Sequence, residues 1–323
     1  MDDRRTLLLG SGLALLAAIS FSVNGPFAGV AEDHGMTTFG LVIWRGLVAG
    51  TFLGALLAIA AGRGRALHFR AMHRRSLALL LSAGAAGALL NLAIFAAFEH
   101  TTVALALITF YTYPAMLAVT GMLFHGERPS APRLASLFLA IAGMALVVLS
   151  QIDPAEGIRI DLVGLGLAFF AALCQVVYFT IGRSGFRDLP ADEATLGVFA
   201  VALPIYLVGS LVAGGLGAAI SAPFRDPTLL AIALLLGTVG AAIPSVLILT
   251  AIRRVGGTRT GIILMFEPVV GVAMAAAVLG QQILPAQILG GALVLAGGVL
   301  LQAVPEREGG ETIITADEPA STV

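Results

Sequence analysis

The chain has no lysine at all; its 18 basic residues are all arginine. Charged residues of both signs make up only 11% of it, where a soluble domain carries about 25%. The absence of lysine reads as base composition rather than as a phosphate-binding device, and a net charge of -1 gives no hint of a nucleic-acid partner. A single cysteine, Cys174, lies in an apolar stretch, so no intrachain disulfide can form and the redox compartment is not legible. No phosphate-cradling glycine loop is present, which leaves ATP-driven pumping unsupported. No His/Cys ligand cluster and no Gly-x-Ser-x-Gly elbow occur, so no metal, cofactor or enzyme activity is expected. His34, His68, His73, His100 and His125 fall at loops or span ends and read as solvated.

What the chain does have is apolar length. Hydrophobic residues make up 58% of 323 and the mean hydropathy is +0.98. A chain this apolar cannot hide its surface in one soluble core, so lipid must be its solvent. The start, Met1 to Arg5 followed by an apolar run, mimics a signal peptide. The run continues to about Ala31, long enough to span, and more spans follow.

The sequence also repeats itself at a spacing of 154 residues, aligning without a gap through most of its length. Gly10, Gly12, Leu13, Ala14, Ala17 and Ala18 fall on Gly164, Gly166, Leu167, Ala168, Ala171 and Ala172. Pro114 falls on Pro268, Ala142 on Ala296 and Gly143 on Gly297. The loop charges do the opposite. The His100 region is free of arginine, whereas its counterpart carries Arg253, Arg254 and Arg259; Arg128 and Arg133 become Gln282 and Gln287. Arginine marks the cytoplasmic side, so the same loop lies on opposite sides in the two copies. That is the pattern of an inverted-repeat transporter.

About 20 apolar residues cross a bilayer. Spans are expected at 7–31, 38–61, 76–98, 102–124, 133–150, 161–182, 194–214, 229–252, 259–279 and 286–304. The expected fold is all-α and integral to the membrane: ten transmembrane helices as two inverted five-helix repeats around a central cavity. The repeats cover 1–152 and 153–304, and a polar, acidic tail at 305–323 is expected to be disordered. With the N-terminus inside, 15 of the 18 arginines fall inside, Arg159 and Arg225 outside, and Arg45 within a span. Both termini are then cytoplasmic.

Polar and helix-breaking residues recur in mid-span. Pro26, Pro114, Pro244 and Pro268 are central, and Pro204 adds a fifth. A proline frees a backbone carbonyl that lipid cannot satisfy, so it is tolerated beside helper groups or a cavity. For any one of them, plain kinking for packing is the competing reading, but Pro114 and Pro268 occupy matched positions, which points to a central site. Glu267 directly precedes Pro268, and Arg45 lies on the outer half of span 2. Intramembrane charge is costly and faces a cavity or a partner. Two readings of Glu267 stand open: proton or substrate coupling, or a structural ion pair with Arg45. Arg45 can be structural, gating, or snorkelling outward. Asn24, Asn91, Tyr111, Tyr113, Gln175, Tyr178 and Ser245 add uncharged polar groups, with Ser20 and Ser22 nearby. Each could merely bond a neighbouring helix; together with Arg45 and Glu267 they are expected to line one cavity. Glu99, Glu127 and Asp161 read as solvated caps.

The run Thr109-Phe-Tyr-Thr-Tyr-Pro114, then Gly126-Glu127-Arg128, then Ala142-Gly143 resembles the span 4 to span 5 pattern of the EamA family, in the drug/metabolite transporter superfamily. Phe266-Glu267-Pro268, Gly280-Gln281-Gln282 and Ala296-Gly297 repeat it, and Trp44-Arg45 at the start of span 2 is also similar. Gln281 departs from the glutamate common there. The resemblance covers residues 7–304. It implies ten helices in two inverted halves, a central cavity, and secondary transport, most often export of amino acids, related metabolites or toxic compounds. A bacterial inner-membrane location, a small-molecule substrate and coupling to protons follow as expectations. A scaffold or sensor retaining the fold is the alternative.

Overall fold

The computed structural model describes residues 2–69, 72–125, 130–152, 158–280 and 282–303. Among them there is no strand. The expected tail and the Gly126-Glu127-Arg128 and Gln281 positions lie outside the described residues.

The helices in order are α1 (Asp2–Phe21), α2 (Asn24–Asp33), α3 (Thr38–Gly62), α4 (Arg74–His100), α5 (Val103–Phe110), α6 (Tyr113–His125) and α7 (Ala131–Leu149). Then come α8 (Leu162–Ser184), α9 (Ala191–Val212), α10 (Leu216–Arg225), α11 (Pro227–Gly237), a π turn (Thr238–Ala242), α12 (Ile243–Leu264), α13 (Glu267–Leu279) and α14 (Pro285–Ala303). Eight helical stretches are long and apolar enough to cross a membrane, and Glu267–Val278 and Pro285–Leu301 are shorter apolar helices. Helix starts follow local chemistry. Thr37 accepts from the Gly40 amide, Asp161 from Val163 and Gly164, and Asp226 from Thr228, each satisfying amides that lack an intrahelical acceptor. Gly256, at φ 74, interrupts α12 where the sequence places a loop between two spans. A β-carbon there would be strained.

Two features differ from the sequence expectation. α10 is a separate helix between two expected spans. It buries Ala219 and Pro223, and the Trp44 indole donates to the Ala219 carbonyl at 3.2 Å. The spacing between the copies is also not constant. α3 and α9 begin 153 residues apart, as do α4 and α11. The helix breaks at Tyr111–Thr112 and Met265–Phe266 are again 154 apart. The π turn restores the lost residue, since a π turn holds one residue more than the α turn it replaces.

Close glycine contacts fall at exchanged positions of the two copies. Gly10 lies against Val255 and Arg254, and Gly164 against Thr101 and His100, the same positions exchanged. Gly143 and Gly290 face each other so closely that a β-carbon on either would come within 2.6 Å of the other's backbone. Their counterparts, Gly297 and Ser136, are joined by a 2.6 Å hydrogen bond from the Ser136 hydroxyl to the Gly297 carbonyl. α7 and α14 therefore cross with backbones nearly touching, the arrangement small residues permit in membranes.

The two ends of the bundle are tied differently. At the arginine-rich end, Arg65 forks onto Asp192 at 2.6 and 2.9 Å. The Glu193 side chain, 0% exposed, accepts from the His68 amide at 2.7 Å. Arg253 donates to the Leu189 and Phe186 carbonyls and lies over the Phe186 ring. At the opposite end, His34 pairs with Asp226 at 2.6 Å, and Thr101 and Thr102 bond the Arg159 backbone.

Candidate functional site

The interruptions of the helices meet at one level of the bundle. Pro26, Pro114, Pro244 and Pro268 each sit in the first turn of the helix that follows a break or the π turn. That is where a missing N–H is least costly. Pro204 differs: it lies inside α9 and is exposed.

Pro244 has no N–H to return to the carbonyl four residues back, that of Gly240, which lies in the π turn. Two side chains reach this carbonyl instead. Asn24 Nδ2 donates to it at 3.0 Å and Arg45 Nη2 at 3.4 Å. Asn24 Nδ2 also donates to the Phe21 carbonyl at 2.9 Å, which the break between α1 and α2 releases. One amide thus bridges interruptions in both copies. A β-carbon on Gly240 would come within 2.6 Å of Asn24 Oδ1, so this close approach requires glycine. Asn24 Oδ1 and Arg45 Nε are shielded from solvent and have no protein partner, leaving one acceptor and one charged donor unsatisfied.

Arg45 lies within electrostatic reach of Tyr206 and Glu267. Asn91 lies beside the Tyr206 hydroxyl and donates to the Gly87 carbonyl at 2.8 Å. Glu267 opens α13 and is within electrostatic reach of Tyr111, Tyr113 and Arg45. Arg45 and Glu267 form no ion pair within 4.0 Å, so neither charge is neutralised by direct contact with the other. The N-terminal turn of α13 favours negative charge at Glu267. Phe110, Tyr111 and Tyr113 form an aromatic group with centroids 5.3–6.2 Å apart. Tyr113 donates to the Gly261 carbonyl at 3.5 Å.

The structure therefore links Asn24, Arg45, Asn91, Tyr111, Tyr113 and Glu267. Three others are less directly connected to that group. Tyr178 packs between the cluster that holds Tyr111 and Tyr113 and the one that holds Phe186, within electrostatic reach of Arg253. Gln175 is half-buried on α8, and Ser245 is half-buried beside Pro244. Sequence reasoning missed Tyr206 and the Gly240 carbonyl. Both had a signal: Tyr206 follows Pro204 by two residues in a span, and Gly240 precedes Pro244 by four. The arrangement offers one cation and one amide on a shared carbonyl, with one carboxylate and aromatic hydroxyls within electrostatic reach. Among the described residues no group of three or more His, Cys, Asp or Glu could hold a metal ion.

A family model described as the EamA-like transporter family matches residues 8–149 and again residues 162–302. No curated protein matches the chain. A solved structure described only as "Crystal structure of protein" is similar over 93% of this chain and 98% of its own, with a TM-score of 0.66 and 16% identity. At that identity the likeness concerns the fold.

Proposed function

The chain belongs to the EamA-like transporter family, and we propose that it is a secondary active transporter that exports a small, amino acid-like or toxic metabolite by alternating access. In this reading ten spans, five per repeat, enclose the site of Asn24, Arg45, Asn91, Tyr111, Tyr113 and Glu267. Ser245, Gln175 and Tyr178 lie along the path to it. Both termini and the arginine-rich end face the cytoplasm of a bacterium across its inner membrane.

The observation that carries the reading is the Gly240 carbonyl held jointly by Asn24 and Arg45. It concentrates uncompensated polarity where the helices are interrupted. A purely structural glue would satisfy its groups, yet Arg45 Nε and Asn24 Oδ1 are left without partners. Glu267 is the carboxylate that exchanges a proton or engages a cationic group of the substrate.

Metabolite profiling of cells with and without the protein, followed by flux of the candidates into sealed vesicles, tests transport. Glu267→Gln should insert and fold but lose most flux or its dependence on pH. Unaltered flux over a pH series would falsify the role of Glu267. Absence of flux for every profiled candidate would favour the scaffold or sensor.

A further inference from the structure

The two ends of the path are not in the same state. Near the arginine-rich end, Gly257 is enclosed by two large side chains. A β-carbon on it would meet Leu117 Cδ2 at 3.5 Å and Phe179 Cβ at 3.6 Å. Gly261, one turn on, would meet Tyr113 and Leu117 at 3.2 and 3.3 Å. Leu117 is 3% exposed and Phe179 0%. This end is closed by large residues seated on small ones.

The repeat assigns a counterpart to each member of that contact. With the 154-residue spacing that holds for these segments, Gly257 corresponds to Val103, Leu117 to Gly271, and Phe179 to Gly25. The sizes are reversed: one small residue between two large becomes one large between two small. The counterpart contact is also unmade. Val103 is 48% exposed. A β-carbon on Gly271 would meet only the Ser22 carbonyl oxygen, at 3.8 Å, and one on Gly25 would meet nothing within 4 Å. The described residues of α13 include none that is buried, whereas Gly257 to Met265 are all buried.

We propose that Val103 is the outer gate plug of this protein, and that Gly25 and Gly271 are its socket. In the conformation opposite to the one described, the Val103 isopropyl group seats between the two glycines, while Leu117 and Phe179 separate from Gly257. The inference rests on the transport reading for its purpose, but not for its geometry. Inverted repeats exchange conformations between halves, so a contact made at one end specifies its partner contact at the other. Gly25 and Gly271 are then small because the opposite state needs their space, a requirement the present packing does not explain.

The test uses the full chain in membranes with Cys174→Ser, which removes its only cysteine. Val103→Cys with Gly271→Cys should cross-link with a short bifunctional thiol reagent, because closure brings these two positions into side-chain contact, as Gly257 and Leu117 are now. Separately, Gly271→Leu and Gly25→Leu add bulk to space that is open in the present state, so folding should be retained. They should block closure and reduce labelling of a Leu117→Cys reporter from the cytoplasmic side at least tenfold. Gly166→Leu, which also meets open space, should leave that labelling unchanged. Failure of the cross-link, or unchanged reporter labelling in both leucine variants, overturns the gate. None of these readouts needs a substrate, so vesicle flux decides the transport reading independently.

Discussion

Replacing Asn24 by alanine should destabilise the protein by an amount that depends on Pro244, 220 residues away. In the wild type the Asn24 amide serves two carbonyls, at 2.9 and 3.0 Å. Its loss leaves the Gly240 carbonyl with only the longer contact to Arg45, at 3.4 Å. A buried acceptor left unpaired costs about 1–3 kcal/mol, while side-chain hydrogen bonds in membrane proteins average only about 0.6 kcal/mol when both states find partners. With two carbonyls affected and one retaining a donor, about 1–2 kcal/mol is expected. Pro244→Ala restores an N–H four residues from Gly240. In that background the second contact matters less, and Asn24→Ala should cost about half as much. The measurement is a double-mutant cycle by reversible unfolding in detergent or mixed micelles. Equal costs in the two backgrounds, within about 0.3–0.5 kcal/mol, the range found for independent sites, would refute the idea that Asn24 substitutes for the donor proline removes.

Three further expectations follow from other parts of the molecule. Gly143→Leu should cost about 3 kcal/mol or more, because the added side chain meets the Gly290 and Val294 backbone and overpacking there cannot relax. Gly298→Leu meets open space and should be tolerated, so similar thermal stability for the two would contradict the close α7–α14 crossing. The His34 ring and the Thr228 amide hold the Asp226 carboxyl below the usual carboxylate range. A depressed carboxylate stabilises the fold above its unfolded pKa, about 3.9, and that contribution disappears as pH falls through the folded value. Asp226→Asn should therefore flatten the acid limb of a stability-versus-pH curve below about pH 4, and an unchanged limb would remove the pair from the account. Cysteines introduced at positions 100 and 254, both exposed, should react with an impermeant reagent from outside and from inside the cell, respectively. Labelling of both from one side would sink the inverted topology.

Much of the architecture was legible because lipid leaves few choices. Long apolar runs must be helices, and prolines 154 residues apart announce paired interruptions. The repeat aligned Gly10 with Gly164, and the structure adds that each packs on the matched positions of the other copy, because glycine at a helix crossing is a packing requirement. The site was only partly legible. Asn24, Arg45 and Glu267 could be read as candidates because polarity in lipid is costly. Their partner was harder to see, since Gly240 contributes a backbone carbonyl and only its place four residues before Pro244 signals it. Tyr178 shows the other limit. Its residue type matches the Phe110, Tyr111 and Tyr113 group and it packs on that cluster, but its place on α8 also brings it within reach of Arg253. The buried Glu193 was missed for a similar reason: it stands next to Asp192 at the start of a span, and only the fold of residues 63–69 shows that one carboxylate is solvated and the other enclosed.

The π turn leaves the second copy one residue longer than the first between the start of α11 and Pro244. The surplus has no counterpart in α4, so the freed carbonyl that Asn24 and Arg45 grasp belongs to the second copy only. In the proposed transport reading, the bundle is nearly symmetric as a scaffold and handed as a receptor. A molecule held there meets different neighbours when turned end for end. Two identical halves inserted in opposite directions could reproduce the helices but not this difference. A single gene carrying both copies can keep them apart, one residue at a time, and orientation of the cargo becomes something the sequence is free to specify.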